Sequence, residues 1–341
     1  MRTAAFLLLA WLLPGCLVPG LAETLFVGAK EDDRLVVIDL ATGERLASLP
    51  TGAGPHEVAV SADGRRVAVV AYGRRRASKE VPRDIVDIFD ARTGRHVTRI
   101  VLAPYHAPHG IVWLADGRHL LVTAERERKL LVVDTKEAQI AAAIETGATG
   151  SHLLAYDPER AYAYVTSLGD GVVSVIDVAA GRLMRTVPSG RQAEGVALTP
   201  DGQELWVTNR GEDTVTVFRL PDFAALARFP SPGMPIRVAF SPDGRLAAIS
   251  HARAGTVALI DRVQRKRLAL LTFASTTAPA PFPVGLLFHP DGKRLYVALT
   301  GPGIIAEIDL ASREVTRRFH AGAGADGMAI SLLPFHGQTR P

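Results

Sequence analysis

Apolar and polar residues alternate in short runs along most of the chain, and these runs recur as one repeated unit. The copy AEGVALTPDGQELWVTN (193–209) contains one alternating run, a turn that ends in Asp-Gly and a second alternating run. Alternation with a period of two is typical of half-buried β-strands, and Asp-Gly provides the positive φ of a tight hairpin. Related copies lie at 55–71, 106–124, 235–251 and 283–299. The pattern therefore predicts an all-β protein.

The spacing of the hairpins predicts how many strands each unit contains. Their first turn residues stand at 61, 114, 157, 199, 241 and 289, which are 53, 43, 42, 42 and 48 residues apart. Each interval has room for a third strand, such as TVTVFRL (214–220), and for a fourth. These turns define six complete units.

The two ends of the chain predict a seventh unit. TLFVGA (24–29) begins at the second strand of a unit, and DGMAISLL (326–333) is a first strand with no unit behind it. Together they predict a seven-bladed β-propeller of four-stranded antiparallel blades, closed by N-terminal strands plus a C-terminal inner strand. Closure is favoured because it leaves no sheet edge unpaired at the join.

The sequences that follow the hairpins resemble a known family. WVTN (206–209) and YVTS (164–167) are similar to the motif of YVTN-type (YncE-like) β-propeller repeat proteins. The resemblance covers essentially all of the chain after residue 22. It implies kinship with exported bacterial proteins of mostly unassigned role, and a fold shared with lactonases, electron-transfer subunits and copper enzymes. Because VAVVA (67–71) and AAISH (247–251) lack the tyrosine-led strand, we expect those two blades to be atypical.

The first 22 residues predict a signal peptide. A positive start at Met1-Arg2 precedes the short apolar run AAFLLLAWLL (4–13), and the small residues GLA (20–22) precede Glu23. The apolar run is shorter than the roughly 20 residues that a membrane-spanning helix needs. We therefore expect a periplasmic or exported protein with a single domain at 23–341 and no transmembrane span.

An alternative to the soluble form is a lipid anchor. LPGC (13–16) resembles a lipobox that ends in Cys16, the only cysteine of the chain. In either form, the folded part has no disulfide and no thiolate ligand for a metal. Any metal site must therefore be built from histidines and carboxylates.

Charge and motif content exclude several functions. The net charge of +4 comes from arginines scattered along the chain, too dilute a pattern to indicate a nucleic-acid partner. Nucleophile-elbow, HExxH and phosphate-loop motifs are absent from the sequence, and the single cysteine excludes a CxxCH haem site. Trp113 and Trp206 fall within predicted strands and are expected in the core.

Two loops are long for this repeat, 71–84 and 272–283. The first carries four cations that could bind an acidic partner, although a solvated loop is the alternative interpretation. These cations are Arg74, Arg75, Arg76 and Lys79.

The histidines of the repeat predict a site at the mouth of the central channel. The position seven residues before the acidic residue of each hairpin should line the mouth, and the C-terminal strand supplies a seventh such residue. The positions are His56, His109, His152, Glu194, Ile236, Val284 and Asp326. Three consecutive blades would thus bring His56, His109 and His152 together, as ligands for copper or zinc. The alternative is that these histidines only cap their strands.

Two classes of function remain. The first is a non-catalytic envelope protein, expected to be monomeric, that binds a small ligand or a partner protein on the face carrying the loops between blades. The second is a propeller enzyme with chemistry at the channel mouth, either a metal-dependent oxidoreductase or a lactonase. Candidate ligand-binding residues on this face are Glu57, Glu194, Arg237, His251 and Asp326, and His106 is expected to point the same way. The first class is favoured because the sequence contains no complete catalytic constellation.

Overall fold

The computed structural model describes residues 23–73, 81–273 and 279–337. These residues form seven four-stranded sheets and no helix, so none of the described segments is a helix able to span a membrane. The predicted signal peptide with Cys16, and the loop cations at 74–76 and 79, lie outside the described residues.

The strands follow the chain in regular order. The first blade begins with β1 (Thr24–Ala29), β2 (Arg34–Asp39) and β3 (Arg45–Pro50). Blade 2 contains β4 (Pro55–Val60), β5 (Arg66–Ala71), β6 (Ile85–Asp90) and β7 (His96–Val101). Blade 3 contains β8 (Pro108–Trp113), β9 (His119–Ala124), β10 (Lys129–Asp134) and β11 (Gln139–Glu145). Blade 4 contains β12 (Ser151–Asp157), β13 (Tyr162–Ser167), β14 (Val172–Asp177) and β15 (Arg182–Pro188).

The remaining blades repeat the same arrangement. Blade 5 contains β16 (Ala193–Leu198), β17 (Glu204–Asn209), β18 (Thr214–Arg219) and β19 (Ala225–Pro230). Blade 6 contains β20 (Pro235–Phe240), β21 (Leu246–His251), β22 (Thr256–Asp261) and β23 (Lys266–Thr272). Blade 7 contains β24 (Pro283–Phe288), β25 (Arg294–Leu299), β26 (Ile304–Asp309) and β27 (Glu314–His320). The last strand, β28 (Ala325–Ser331), belongs to blade 1.

Blade 1 is completed by the two ends of the chain. Its strand order is β28-β1-β2-β3, with Thr24 opposite Ser331 and Val27 opposite Met328. The inner strand β28 also packs against β24 of blade 7 and β4 of blade 2. The predicted seven-bladed propeller, closed by a C-terminal inner strand, is confirmed.

The apolar core lies between neighbouring blades. Second and third strands are buried almost throughout, because each blade is covered by a neighbour on both faces, whereas fourth strands such as β3 alternate towards solvent. Trp206 is fully buried and Trp113 is nearly so, which confirms both as core residues. The expectation that 67–71 and 247–251 would make atypical blades is wrong for the backbone, because β5 and β21 pair with both neighbouring strands and show the same register shift near the start of the inner strand as blade 4.

His251 closes a small hydrogen-bond network between blades 5 and 6. Ser231 Oγ lies 2.7 Å from its Nε2, and Thr256 Oγ1 lies 3.2 Å from its Nδ1. One blade earlier, Asn209 occupies the same repeat position and accepts a hydrogen bond of 2.8 Å from Ser189. Burial lowers the pKa of His251 to about 4, against a weaker opposing effect of Asp213.

This lowered pKa predicts an acid-sensitive stability. Unfolded His251 takes up a proton below about pH 6.5, whereas the folded imidazole stays neutral until about pH 4. Its contribution is therefore intact above pH 6.5, is lost as pH falls towards 4, and amounts to roughly 3 kcal/mol. Between pH 7 and pH 4 the free energy of unfolding, measured by urea denaturation, should fall by roughly 3 kcal/mol less in His251→Asn than in the wild type. The exposed His320→Asn is the control, and an unchanged pH dependence in His251→Asn would contradict the assignment.

Candidate functional site

Each of the seven inner strands places its second residue around a single cavity of about 330 Å³ at the mouth of the channel. These residues are the seven counted from the repeat: His56, His109, His152, Glu194, Ile236, Val284 and Asp326. The fold explains this convergence, because each of them is the second residue of its inner strand. The position of a residue within the repeat therefore determines its position around the channel.

In four of the blades, a hydroxyl group on the second strand bonds to the inner strand of the same blade and to that of the next blade. In blade 4 the pairing of β12 with β13 shifts register after Ser151, and Thr166 Oγ1 accepts a hydrogen bond of 3.2 Å from the backbone N–H of Leu153. The same hydroxyl donates a hydrogen bond of 2.6 Å to the carbonyl oxygen of Glu194 in blade 5. Equivalent bonds to the next blade come from Thr123, Thr208 and Ser250. The threonine of the YVTN motif thus positions the neighbouring blade's residue at the channel mouth.

The three histidines lie side by side. The ring centroids of His56 and His109 are 4.3 Å apart, and those of His109 and His152 are 3.8 Å apart. His109 lies in the middle and is buried. Burial lowers its pKa well below the ordinary value, and the nearby positive charges of His152 and Arg237 act in the same direction. Its Nδ1 is buried and has no hydrogen-bond partner among the described residues.

His152 is held between two carboxylates. Its Nδ1 contacts Glu125, and its Nε2 lies 2.8 Å from Oε1 of Glu194. Burial acts to lower the pKa of His152, but the two carboxylates outweigh it and raise the pKa to about 9. Burial acts to raise the pKa of Glu194, but His152 and Arg210, whose Nη1 lies 2.8 Å from Oε2, lower it. The two carboxylates therefore favour the protonated form of His152, and both of its ring nitrogens are engaged.

Asp326 joins the closing strand to the histidine row. It is fully buried, and its Oδ2 lies 2.8 Å from Nζ of Lys30 and 3.0 Å from Nδ1 of His56. Both distances are short enough for hydrogen bonds, but neither contact has aligned hydrogen-bond geometry within the described residues. Burial acts to raise the pKa of Asp326, but Lys30 and His56 hold it well below the ordinary range. Asp326 is therefore ionised.

Glu57 and Arg237 pair across the channel, from blade 2 to blade 6. Each follows a mouth residue on its inner strand, and Nη2 of Arg237 contacts Oε1 of Glu57. Arg237 Nη1 lies 3.8 Å from Oε1 of Glu194 and makes no hydrogen bond with any described residue. Although burial opposes it, Glu57 and Asp326 raise the pKa of Arg237, which therefore stays charged.

The other side of the cavity is apolar. It is lined by Ile236 on β20 and Val284 on β24, together with Met234 and Phe282 from the connections that precede these two strands. Ile236 and Val284 are almost completely buried, whereas Phe282 is exposed. A cavity with one charged wall and one apolar wall suits a small molecule with a polar end and an apolar side.

Sequence reasoning missed a second ring of cavity residues. Each of them follows the last residue of a second strand, and they are Lys30, Tyr72, Glu125, Leu168 and Arg210. Tyr72 donates a hydrogen bond of 2.9 Å to Oε2 of Glu125, and burial together with Glu125 raises its pKa. Aligning the repeats at the residue after YVTN would have revealed this ring.

Two histidines expected near the mouth lie elsewhere. His251 does not line the cavity. It is the last residue of β21, and its ring lies between blades, hydrogen bonded to Ser231 and Thr256. His106 is partly exposed and pairs with Glu127, with Nδ1 2.8 Å from Oε1. The mouth is therefore built from the inner strands and from the residues that follow the second strands.

The fold defines a seven-bladed β-propeller with a cavity at its channel mouth. The chain belongs to the family described as "Lactonase, 7-bladed beta-propeller", whose family model matches residues 37–288. It is also 35% identical over 89 residues to the "Uncharacterized protein YncE" of Salmonella typhi, and 34% identical over 89 residues to that of Salmonella typhimurium (strain LT2). Each match covers 26% of this chain and only 25% of the relative.

Solved structures are similar in fold at low sequence identity. "Kuenenia stuttgartiensis Hydrazine Synthase" has a TM-score of 0.70 and 20% identity, covering 84% of this chain and 92% of that chain. A functionally unknown protein from Desulfotomaculum acetoxidans DSM 771 has a TM-score of 0.74 and 14% identity, covering 92% and 99%. At these identities the similarity concerns the fold alone.

The hydroxyl that positions Glu194 gives a direct test of how the site is supported. Thr166→Val keeps the shape of the side chain but leaves the N–H of Leu153 and the carbonyl of Glu194 without their buried partner. We expect the free energy of unfolding, measured by urea denaturation, to fall by about 1–3 kcal/mol. Thr166→Ser keeps the hydroxyl and should lose only about 1 kcal/mol, for one buried methyl group. A valine variant as stable as the wild type would show that this bond does not support the ring.

Proposed function

We propose that this protein is an exported β-propeller that binds a small organic acid, with a carboxylate end and an apolar side, at the mouth of its channel. The observation that carries the proposal is the division of one cavity into a charged wall and an apolar wall, and the charged wall contains buried polar atoms without a hydrogen-bond partner in the part of the chain that the structure describes. Leaving a buried polar atom without a partner costs about 1–3 kcal/mol, which a ligand can recover.

Arg237 is the group expected to recognise the polar end. Its Nη1 is buried and unpartnered among the described residues, while its other terminal nitrogen is fixed by Glu57. A guanidinium held in this way donates to a carboxylate or carbonyl oxygen in a defined direction. Arg210, one blade away, adds positive charge on the same side of the cavity.

The apolar wall is expected to hold the rest of the molecule. Ile236, Val284 and Phe282 face the cavity from blade 6 and the start of blade 7. Covering these side chains removes apolar surface from water, at about 25 cal/mol for each Å² buried. The ligand class is therefore a short-chain hydroxy acid or a compound of similar shape, rather than a fully polar sugar.

Calorimetric titration with two probes tests this proposal. The probes are δ-octanolactone and the hydroxy acid formed when its ring opens. We expect the hydroxy acid to bind, and Arg237→Lys to weaken it about tenfold or more, because lysine keeps the charge opposite Glu57 but loses the planar fork. Phe282→Ala should weaken both probes by about tenfold, because it removes only apolar contact.

The control for both variants is His119→Ala, a substitution on β9 outside the cavity, which should leave both affinities unchanged. If neither probe binds the wild type, or if Arg237→Lys and the control bind the hydroxy acid equally well, the proposed ligand class is wrong. Thermal melting of each variant separates loss of binding from loss of fold.

A second candidate function is opening of a lactone ring, which the match to the lactonase family model supports. Water would add to the ring carbonyl, the unpartnered nitrogen of His109 would accept its proton, and Arg237 would stabilise the developing oxyanion. The carbon–oxygen bond of the ring would then break, and the ring oxygen would take the proton back from His109, giving the hydroxy acid. The same titration distinguishes the two functions, because an enzyme converts δ-octanolactone, as followed by NMR, whereas a binding protein leaves it intact.

Export is the remaining part of the proposal, and the apolar run at 4–13 supports it. Mass spectrometry of the protein from an envelope fraction should find a mature chain that begins at or near Glu23. A lipid-bearing Cys16 at the N terminus would instead identify the anchored form. Recovery of only intact Met1 protein from the cytoplasm would contradict export in both forms.

A further inference from the structure

We infer that His56, Glu57 and His109 form a binding site for a divalent transition-metal ion, zinc or copper, and that His152 is not one of its ligands. One ligand atom from each of the three residues lies within 4.8 Å of the others. They come from two neighbouring inner strands, β4 and β8, so the backbone of the ring fixes their relative positions. The inference does not depend on the organic ligand proposed above.

A competing group of three lies beside it. His109, Glu125 and His152 also bring one ligand atom each within 4.8 Å. However, both ring nitrogens of His152 contact carboxylates, and both oxygens of Glu125 are engaged, one by His152 and the other by Tyr72. A metal there would have to break these contacts, so this group is already saturated by protein partners.

The first group keeps ligand atoms available. Nδ1 of His109 is buried without a hydrogen-bond partner among the described residues. Nδ1 of His56 faces Oδ2 of Asp326 at 3.0 Å, which leaves Nε2 for a metal. A carboxylate that accepts a hydrogen bond from a ligating histidine usually orients the ring and makes it a better ligand, and Asp326 lies within reach of His56 for such a bond. The carboxylate of Glu57 is held in place by its contact with the guanidinium of Arg237.

The chemistry of the donors selects the ion. Two imidazoles and one carboxylate suit zinc and copper(II), whereas calcium and magnesium prefer oxygen ligands alone. Metal–nitrogen bonds of about 2.0–2.1 Å place neighbouring ligand atoms closer together than 4.8 Å, so small side-chain rotations would complete the site. Only three ligands come from the protein, which leaves at least one position for water or an added ligand.

Competition titrations against a coloured chelator test the site, with zinc, copper(II) and calcium added separately to metal-free full-length protein. We expect one zinc or copper ion per chain and no calcium. His56→Asn and His109→Asn should each weaken zinc binding at least 100-fold, and Asp326→Asn should weaken it 10- to 100-fold through the orientation of His56. His152→Gln and the control His119→Asn should stay within about threefold of the wild type.

Copper-loaded wild-type protein provides a test that needs no variant to fold. Electron paramagnetic resonance should show hyperfine coupling to two imidazole nitrogens. Coupling to three nitrogens, or an affinity that His152→Gln reduces as strongly as His109→Asn, would overturn the assignment of ligands. Zinc and copper affinities no tighter than that for calcium would overturn the site itself.

Discussion

The pairing of β28 with β1 is the constraint on which both the ring and the cavity depend. Residues about 300 positions apart in the sequence meet in one sheet, with Thr24 opposite Ser331. Without this pairing, blade 1 would lack its inner strand and both β24 and β4 would lose a neighbour. In a propeller each blade is covered by the next, so one missing strand exposes apolar surface on two sides.

The same strand completes the electrostatics of the mouth. Asp326 arrives on β28 and lies against Lys30 and His56, which come from the beginning of the chain. The strand that closes the fold therefore also supplies a charged residue of the mouth. Neighbouring histidines of the row differ in their surroundings, because His152 is engaged on both nitrogens while Nδ1 of His109 has no hydrogen-bond partner among the described residues.

Much of the fold and half of the site followed from the sequence, because a repeat converts sequence spacing into spatial position. Counting back from the hairpins found six of the mouth residues, matching the C-terminal strand to the other inner strands added Asp326, and the unfinished units at the two ends predicted the closure. Counting missed Glu125 and Arg210, because these residues follow second strands and only the ring geometry turns them inward. It also misplaced His251, whose repeat position is that of Asn209, between blades. No sequence pattern showed that His152 lies between two carboxylates, since that depends on three different blades.

Backbone amide hydrogen exchange tests the central role of closure most directly. If β28 is an integral inner strand, its amides should exchange only through global unfolding, with the same free energy as those of β1 and β2. Asp326→Asn should then lower the protection of all three strands together. Rapid exchange of β28 while β1 and β2 stay protected would show that the C-terminal strand is only loosely docked, and would contradict the account.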